Sequence, residues 1–368
     1  MRYLIVTYDD YFNIPYIRFY ENYLKQHHHT YEVVLWNRSQ QHVMIPNAYV
    51  FTGKDHPSKL GKIVPFLQWR NFVLALLKRQ KYDRLIVLTT MPAVLLADKL
   101  LGEYRNRFWL DIRDFTYENI TFYKKLVGKL VHAAAAVSIS SPAFRTFLPK
   151  SDKIYLTHNI SNQEAAETHC SLDVNHKPIR IGFVGGIQFV LQNQQLLLQF
   201  ANHPGFHFKY AGKAHLGCDL QPFCQKNGIH NAEFHPAFTN DQKPAIYRDI
   251  HLINCVYGNH NQVVRLLLPN RLYDCVLFKK PIIVSRGTYL EQVITQYHLG
   301  LAVDVENDDV VEAVTTYLKN FDRIAFEAGC AEFLKKVTEE IEDYHNALCS
   351  FCKASNEDEP TLKSGGVL

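Results

Sequence analysis

Residues 265–285 read RLLLPNRLYDCVLFKKPIIVS, and this stretch decides the fold. Pro269 suits the first turn of a helix, where its missing N–H is no loss. Asn270 and Arg271 follow, and Leu272, Val276 and Leu277 then make an apolar stripe at helical spacing. Lys279 and Lys280 fall in the expected last turn, where cations complement the helix dipole. Pro281 stops the helix. Ile282, Ile283 and Val284 form a short β-branched run of the kind buried on both faces of a parallel sheet. Backbone amides at the front of such a helix make an anion site. Asp274, the one acid in its first turns, is placed to reach a sugar hydroxyl beyond that anion.

The rest of the second half repeats this alternation, with strands expected at 179–184, 206–211, 232–234, 251–254 and 301–303 and helices between them. The first half does the same, with strands at 3–7, 31–36, 85–88, 108–112, 137–140 and 154–157. Helices are expected there at 14–25, 63–77, 121–131 and 142–148. Such alternation predicts an α/β chain of two doubly wound, Rossmann-like domains. Ligands bind outside the carboxyl ends of the strands of such sheets, which places a cleft there. Residues 161–178 are polar and unpatterned and read as a linker between domains at 1–160 and 179–320. The stretch 310–348 is helical in pattern, and 350–368 reads as a disordered tail. The first half lacks the Gly-rich dinucleotide fingerprint, which disfavours a Rossmann oxidoreductase.

Composition narrows the class. A chain of 368 residues is long enough for two domains with their own cores. Hydrophobic content of 47% with 21% charged residues belongs to a globular protein, not a disordered one. A net charge of +4 is too weak to argue for nucleic acid, but it suits a surface visited by phosphates or anionic lipid. No apolar run reaches the roughly 18 residues that span a bilayer. The first residues, MRYLIVTYDD, read as a strand and not a signal peptide, so a cytoplasmic location is expected. The eight cysteines are scattered singly apart from Cys349 and Cys352. A lone C-x2-C is weak as a zinc site, and reduced thiols are the default.

Residues 268–283, LPNRLYDCVLFKKPII, resemble the donor-site helix of family-4-type GT-B glycosyltransferases, in the branch that builds bacterial capsules and exopolysaccharides. That branch usually reads P-N-K-x-Y-E, then a short apolar run and G-K-P-I-I. The wider family's motif is E-x7-E. The resemblance implies that Asp274, in the place of the second acid, holds the ribose hydroxyls of a nucleotide. Amides of the Pro269-Asn270-Arg271 turn would hold its diphosphate. Asp274 replaces the usual Glu with a shorter reach, Arg271 replaces Lys, and Leu266 stands where the first acid would contact the donor sugar. The resemblance also implies the GT-B fold, with helices at 321–349 crossing back to the first domain. It further implies retention of anomeric configuration, no cofactor and no bound metal, the nucleotide-sugar being a substrate.

Three further segments carry chemistry. In Gly182-Phe-Val-Gly185-Gly186-Ile187-Gln188 the glycines let a backbone approach a ligand closely, or simply make a tight turn. The resemblance sets the donor against this loop, with Gly185 and Gly186 in contact. The family's Arg and Lys near here appear as Ile187 and Gln192. Arg265, Arg271 and Lys213 are the candidates to replace them, Arg suiting a bidentate phosphate contact; for each, a surface cation is the alternative. Tyr257 and Asn259, after the 251–254 strand, can grip a sugar or base, or form a plain turn. The branch commonly has a Tyr-x-Asn element there. Phe238 lies in the loop where the base would stack.

Residues 109–115, WLDIRDF, resemble the D-I-R-D segment on the acceptor side of these transferases. Asp111 and Arg113 either pair with each other or serve the site. Arg113 and Asp114 are the catalytic candidates, Asp114 to orient or deprotonate an acceptor hydroxyl. Arg38 either meets a charged acceptor or makes a surface ion pair. The helix at 121–131 carries Lys124, Lys125 and Lys129 beside an apolar stripe. With Lys59, Lys62 and Arg70 it either rests on an anionic membrane or is a solvated face. The reading is a glycosyltransferase moving a sugar from a nucleotide-diphosphate donor, a UDP-sugar by expectation, to a saccharide or lipid-linked saccharide. The alternatives are a GT-B-fold nucleotide-sugar epimerase and a non-catalytic sugar-nucleotide-binding subunit.

Overall fold

The expected strand–helix alternation is present in both halves. The structure, a computed structural model, describes residues 1–40, 45–54, 61, 63–160, 169–215 and 217–353. Its first sheet holds β1 (Arg2–Val6), β2 (Thr30–Trp36), β3 (Ala48–Phe51), β4 (Arg84–Leu88), β5 (Phe108–Ile112), β6 (Ala136–Ile139) and β7 (Ile154–Leu156). Its second holds β8 (Ile179–Val184), β9 (Phe206–Ala211), β10 (Ala232–His235), β11 (Leu252–Cys255), β12 (Ile282–Ser285) and β13 (Gly300–Val303). The spatial orders are β3-β2-β1-β4-β5-β6-β7 and β10-β9-β8-β11-β12-β13. The pairings along both sheets are parallel, as a βαβ series requires. In each sheet the order of winding reverses beside its first strand. The carboxyl ends of β1 and β4, and of β8 and β11, are therefore the switch points where α/β sheets take ligands.

The chain divides into one unit of Met1–Thr157 with the chain from Glu340 onward, and a second of His158–Glu339. The first unit is built on wholly buried strand residues, Tyr3, Ile5, Ile86 and Trp109 among them. The last helix, Arg323–Lys353, contributes Tyr344, Leu348, Phe351 and Cys352 to that same core. Trp109 meets Tyr344 edge-on, ring centres 5.5 Å apart, in a geometry aromatic quadrupoles favour. The 310–348 stretch is thus two helices, Val310–Lys319 and Arg323–Lys353.

Several local expectations differ from what is found. Strand β3 had no sequence signal, because all four of its residues are half-buried at the sheet edge and no alternation marks them. The expected helix at 142–148 is a single 3₁₀ turn, Pro142–Thr146, capped by Ser141. Residues 161–168 of the expected linker and 354–368 of the expected tail lie outside the described residues. The remaining linker residues are tied into the second unit: the Cys170 amide donates to Glu327 and Lys280 Nζ to Ser171. Among the described residues no helix is long and apolar enough to cross a membrane.

Candidate functional site

In the second unit two glycine turns close against each other at the carboxyl ends of β8 and β9. Gly185 has φ +118° and Gly212 +140°, conformations that side chains rarely adopt. A Cβ on Gly212 would lie 2.0 Å from the Gly185 carbonyl oxygen, so the two backbones touch directly. Beyond the turns the segments re-pair: the Ile187 amide donates to the Lys213 carbonyl, and the His215 amide to that of Ile187. Phe189 follows in the left-handed region, φ +60°. Buried Asn193 holds it there, its Nδ2 donating to the carbonyls of Gln188 and Phe189 while its Oδ1 accepts from Tyr210 and Asn254. The Phe189 ring stacks on Tyr257, centroids 4.1 Å apart.

The helix that the 265–285 stretch announced spans Asn270–Leu277. Pro269 is its N-cap in extended conformation, one residue before the first turn where it was expected. Every residue from Arg271 to Leu277 is buried, so the helix has no solvent face and the apolar stripe is only part of what it buries. Lys279 and Lys280 do not sit in its last turn. Lys279 takes the left-handed conformation, φ +51°, that closes a helix and is usually given to glycine, and the Lys280 amide bonds back to the Cys275 carbonyl. Both lysines are buried.

Burying this helix all round forces its polar residues into internal partnerships. Arg271 donates from Nε to the Val184 carbonyl at 2.8 Å and from a terminal nitrogen to the Tyr257 hydroxyl. Its guanidinium carbon lies 3.4 Å from the centroid of Phe183. The side-chain direction of Gly185 points at its other terminal nitrogen. Asp274 is equally buried, but Lys243 Nζ donates to both of its oxygens, at 2.9 and 3.1 Å, and the Tyr247 hydroxyl to one, at 2.8 Å. The Asp274 charge is therefore balanced by Lys243. The groups that Arg271 bonds to carry no charge, and the Asp274 carboxylate, which supports the guanidinium at longer range, is already shared with Lys243. Burial pushes the Tyr257 and Tyr247 hydroxyls well above their ordinary pKa and raises the neighbouring Cys255 thiol, so these groups are neutral.

The structure thus brings Gly185, Tyr257 and Arg271 together, with Gly186 and exposed Lys213 on the adjoining turns. Asn270 is exposed at the helix start, and Phe238 is half-buried in the loop after β10. Arg265 lies on a separate short helix, Gln262–Leu266, and donates to the Asn259 carbonyl, while Asn259 Nδ2 donates to the Arg286 carbonyl. These two residues are thus engaged with each other and with the β12 loop. Leu266 is buried. Sequence reasoning missed Phe183, Phe189, Asn193, Lys243 and Tyr247. Their only local trace is spacing: Phe189 and Asn193, and likewise Lys243 and Tyr247, stand one helical turn apart.

In the first unit, Asp111 and Arg113 adopt the pairing alternative. Arg113 Nε lies 3.0 Å from both Asp111 oxygens, and a terminal nitrogen donates to Thr157. Ser138 donates to Asp111 as well and accepts from Trp109 Nε1, so the carboxylate is fully served. Arg113 is 7% exposed, with its guanidinium over the Tyr16 ring, and belongs to this buried network. Asp114 points outward and is exposed. The surrounding protein nonetheless raises its carboxyl above the ordinary value through desolvation, with Asp111 and Asp9 adding to the rise and Arg113 opposing it. At the neighbouring end of β4, Thr89 is held at φ +73°, ψ 164°, with its buried hydroxyl unpartnered among the described residues. Arg38 lies over the rings of Tyr8 and Trp36. Of the cations expected on a membrane-facing surface, Lys124, Lys125 and Lys129 are exposed. Arg70 bonds instead to the Leu95 carbonyl and Asp98, and Lys59 and Lys62 lie outside the described residues. Among the described residues no three His, Cys, Asp or Glu side chains converge as a metal-ligand set.

No protein-family model matches the chain, and no curated protein sequence does. Solved structures do. HepE of Anabaena in complex with UDP superposes with a TM-score of 0.65 at 15% identity, over 95% of this chain and 100% of that one. Sucrose-phosphate synthase of Thermosynechococcus elongatus gives 0.64 at 11% identity, over 95% and 99%. The lipopolysaccharide outer core galactosyltransferase WaaB gives 0.63 at 12% identity, over 95% and 99%. At such identities the likeness establishes fold and nothing finer: two doubly wound sheets in the GT-B arrangement, as the resemblance implied.

Proposed function

From the GT-B fold of this chain we propose that it is a glycosyltransferase, of the family-4-like kind. It takes a sugar from a nucleotide-diphosphate donor, a UDP-sugar in the first instance, and passes it to a saccharide or lipid-linked saccharide hydroxyl with retention. The observation that carries this reading is Arg271. It is a buried guanidinium, 4% exposed, at a switch point of the second sheet, directly beneath Gly185, and all the groups it touches are neutral. A buried cation whose nearest carboxylate is already paired with a lysine is costly. A diphosphate seated on the Gly185–Gly186 turn supplies further negative charge.

Chemically, the leaving group is the nucleoside diphosphate, and charge builds on its oxygens as the glycosidic bond breaks. Arg271, Lys213, the Gly186 amide and the amides of the Asn270–Leu277 helix start stabilise that charge without reorganising. No metal is required in this scheme. Tyr257, locked between Phe189 and Arg271, sets the floor of the site. Asp274, already bound to Lys243 and Tyr247, holds the ribose through this network. Asp114 orients the acceptor hydroxyl, with the Asp111–Arg113 pair fixing the strand end that carries it. The exposed lysines at 124, 125 and 129 serve a peripheral contact with anionic lipid when the acceptor is lipid-linked. HepE is described in complex with UDP-glucose, which makes that donor the first to try.

The test is prolonged incubation with UDP-, GDP- and dTDP-sugars followed by assay of the free nucleoside diphosphate. A competent transferase leaks donor to water, and one nucleotide class should stand out. Stable donor in every case, with no thermal stabilisation by any nucleotide, would refute the proposal.

A further inference from the structure

We infer that His215 is a phosphate-contacting residue of the donor site. The inference rests on the proposed donor site and goes beyond it by naming a ligand that no sequence signal marked. The Nε2 atom of His215 lies 2.8 Å from the point where a Cβ on Gly186 would sit, so the imidazole fills the side-chain space of that glycine. The absence of a side chain at Gly186 leaves room for the ring in this position. The Ile187–Ala214 bridge fixes this approach from the backbone, through the Ile187 amide to Lys213 and the His215 amide to Ile187. In an extended segment, residues two apart project to the same side. Lys213 and His215 therefore share one face, alongside the Gly185–Gly186 turn.

Several exposed or half-exposed histidines of this unit have a carboxylate partner, and others, His215 among them, do not. His169, His207, His235 and His260 each face a carboxylate, from Glu327, Glu233, Glu233 and Glu306 respectively. His215 instead takes the neutral amide of Gln188, whose Nε2 lies 2.9 Å from its Nε2. With the amide donating there, a neutral ring keeps its proton on Nδ1 and retains a donor. Arg271 below Gly185 and Lys213 beside it thus place cations at the two-glycine turn, and the His215 ring lies against Gly186 with a donor left on Nδ1. The hydrogen bonds and ion pairs found for these three side chains involve no acid. Donors without acids suit the pyrophosphate of a nucleoside diphosphate.

The experiment is calorimetric titration of UDP into the full chain, for wild type, His215→Ala and His215→Lys, with a melting curve of each unliganded protein. The expected result is that His215→Ala weakens UDP binding by roughly tenfold or more, that His215→Lys restores it, and that all three melt alike. UDP binding unchanged in His215→Ala overturns the inference and leaves the donor site standing. Weakened binding that Lys fails to restore, or a lowered melting temperature in step with it, makes the residue structural and overturns it too. A wild type that binds no UDP overturns the donor site itself, and this inference with it.

Discussion

The Arg271 guanidinium lies 3.4 Å from the centroid of the Phe183 ring, so a buried cation rests on an aromatic face while its Nε bonds to the backbone of the residue after that ring. A cation over a desolvated ring gains about 2 kcal/mol, well short of the several kcal/mol that burying an ion costs. Asp274 offsets part of the difference at longer range, and a bound diphosphate is expected to supply the rest.

Arg271→Met removes the charge and keeps most of the volume. Replacing a buried ion by an apolar side chain is often neutral or stabilising, so the melting temperature should stay the same or rise. UDP affinity should fall between about tenfold and a hundredfold, the worth of a charged hydrogen bond. Melting curves with and without UDP read both effects at once. Arg271→Lys should also lose binding, because one compact ammonium lacks the fork whose separate nitrogens reach the Val184 carbonyl, the Tyr257 hydroxyl and the Gly185 side of the turn.

Asp274→Ala leaves Lys243 and Tyr247 without their acceptor. The Lys243 side chain is 20% exposed, so water relieves part of the cost, and a loss of about 2 kcal/mol is expected. The double variant Asp274→Ala with Lys243→Met should regain much of that stability without regaining donor binding. A double-mutant cycle on denaturant midpoints gives the coupling.

Thr89 occupies a backbone region that is essentially glycine's own, and its buried hydroxyl is unpartnered among the described residues. Thr89→Gly removes both penalties and no capping bond, since the hydroxyl caps nothing. It should stabilise the protein by about 1 kcal/mol, or about 2–4 °C by calorimetry. A fall in melting temperature would show that the hydroxyl is held by something beyond the described residues.

The folded-state pKa of Asp114 is raised by desolvation, so the folded chain holds the proton more tightly than the unfolded one. Its ionisation therefore costs stability as pH climbs through the window above the ordinary aspartate value, and costs nothing below it. Asp114→Asn should melt above wild type near neutrality and level with it at about pH 3. The same variant should lose sugar transfer while UDP binding is unchanged. Parallel melting curves at both pH values, with a transfer assay, check the sign and the role.

Chelation supplies a fifth test. With the donor's charge met by Arg271, His215 and Lys213, excess EDTA should leave UDP titration and donor hydrolysis unaltered. A loss reversed by a divalent cation would contradict the metal-free scheme.

The fold was legible because parallel strands announce themselves: Ile282–Ser285 is buried at every position, as its β-branched run implied. Where the sequence misled, an element lacked one clear face. Strand β3 is half-buried throughout, and Lys279 occupies a left-handed position that glycine usually marks. The candidate site was legible along the chain but not across it. Arg271 and Asp274 stood out on their own helix. Their partners Val184, Lys243 and Tyr247 lie 87, 31 and 27 residues away, too far along the chain for local pattern to join them to that helix. Arg113 was open to two readings because spacing two apart along a strand permits pairing with Asp111 and equally permits presentation to a ligand. Burial of Asp111 decided between them.

The most direct test of the central claim is a crystal structure of the protein with UDP. The account predicts the diphosphate on the Gly185–Gly186 turn, within hydrogen-bond reach of the Gly186 amide and of the first turn of the Asn270–Leu277 helix, with Arg271 unmoved beneath. UDP bound away from that turn, or seated there with Arg271 turned aside to some other anion, would contradict it.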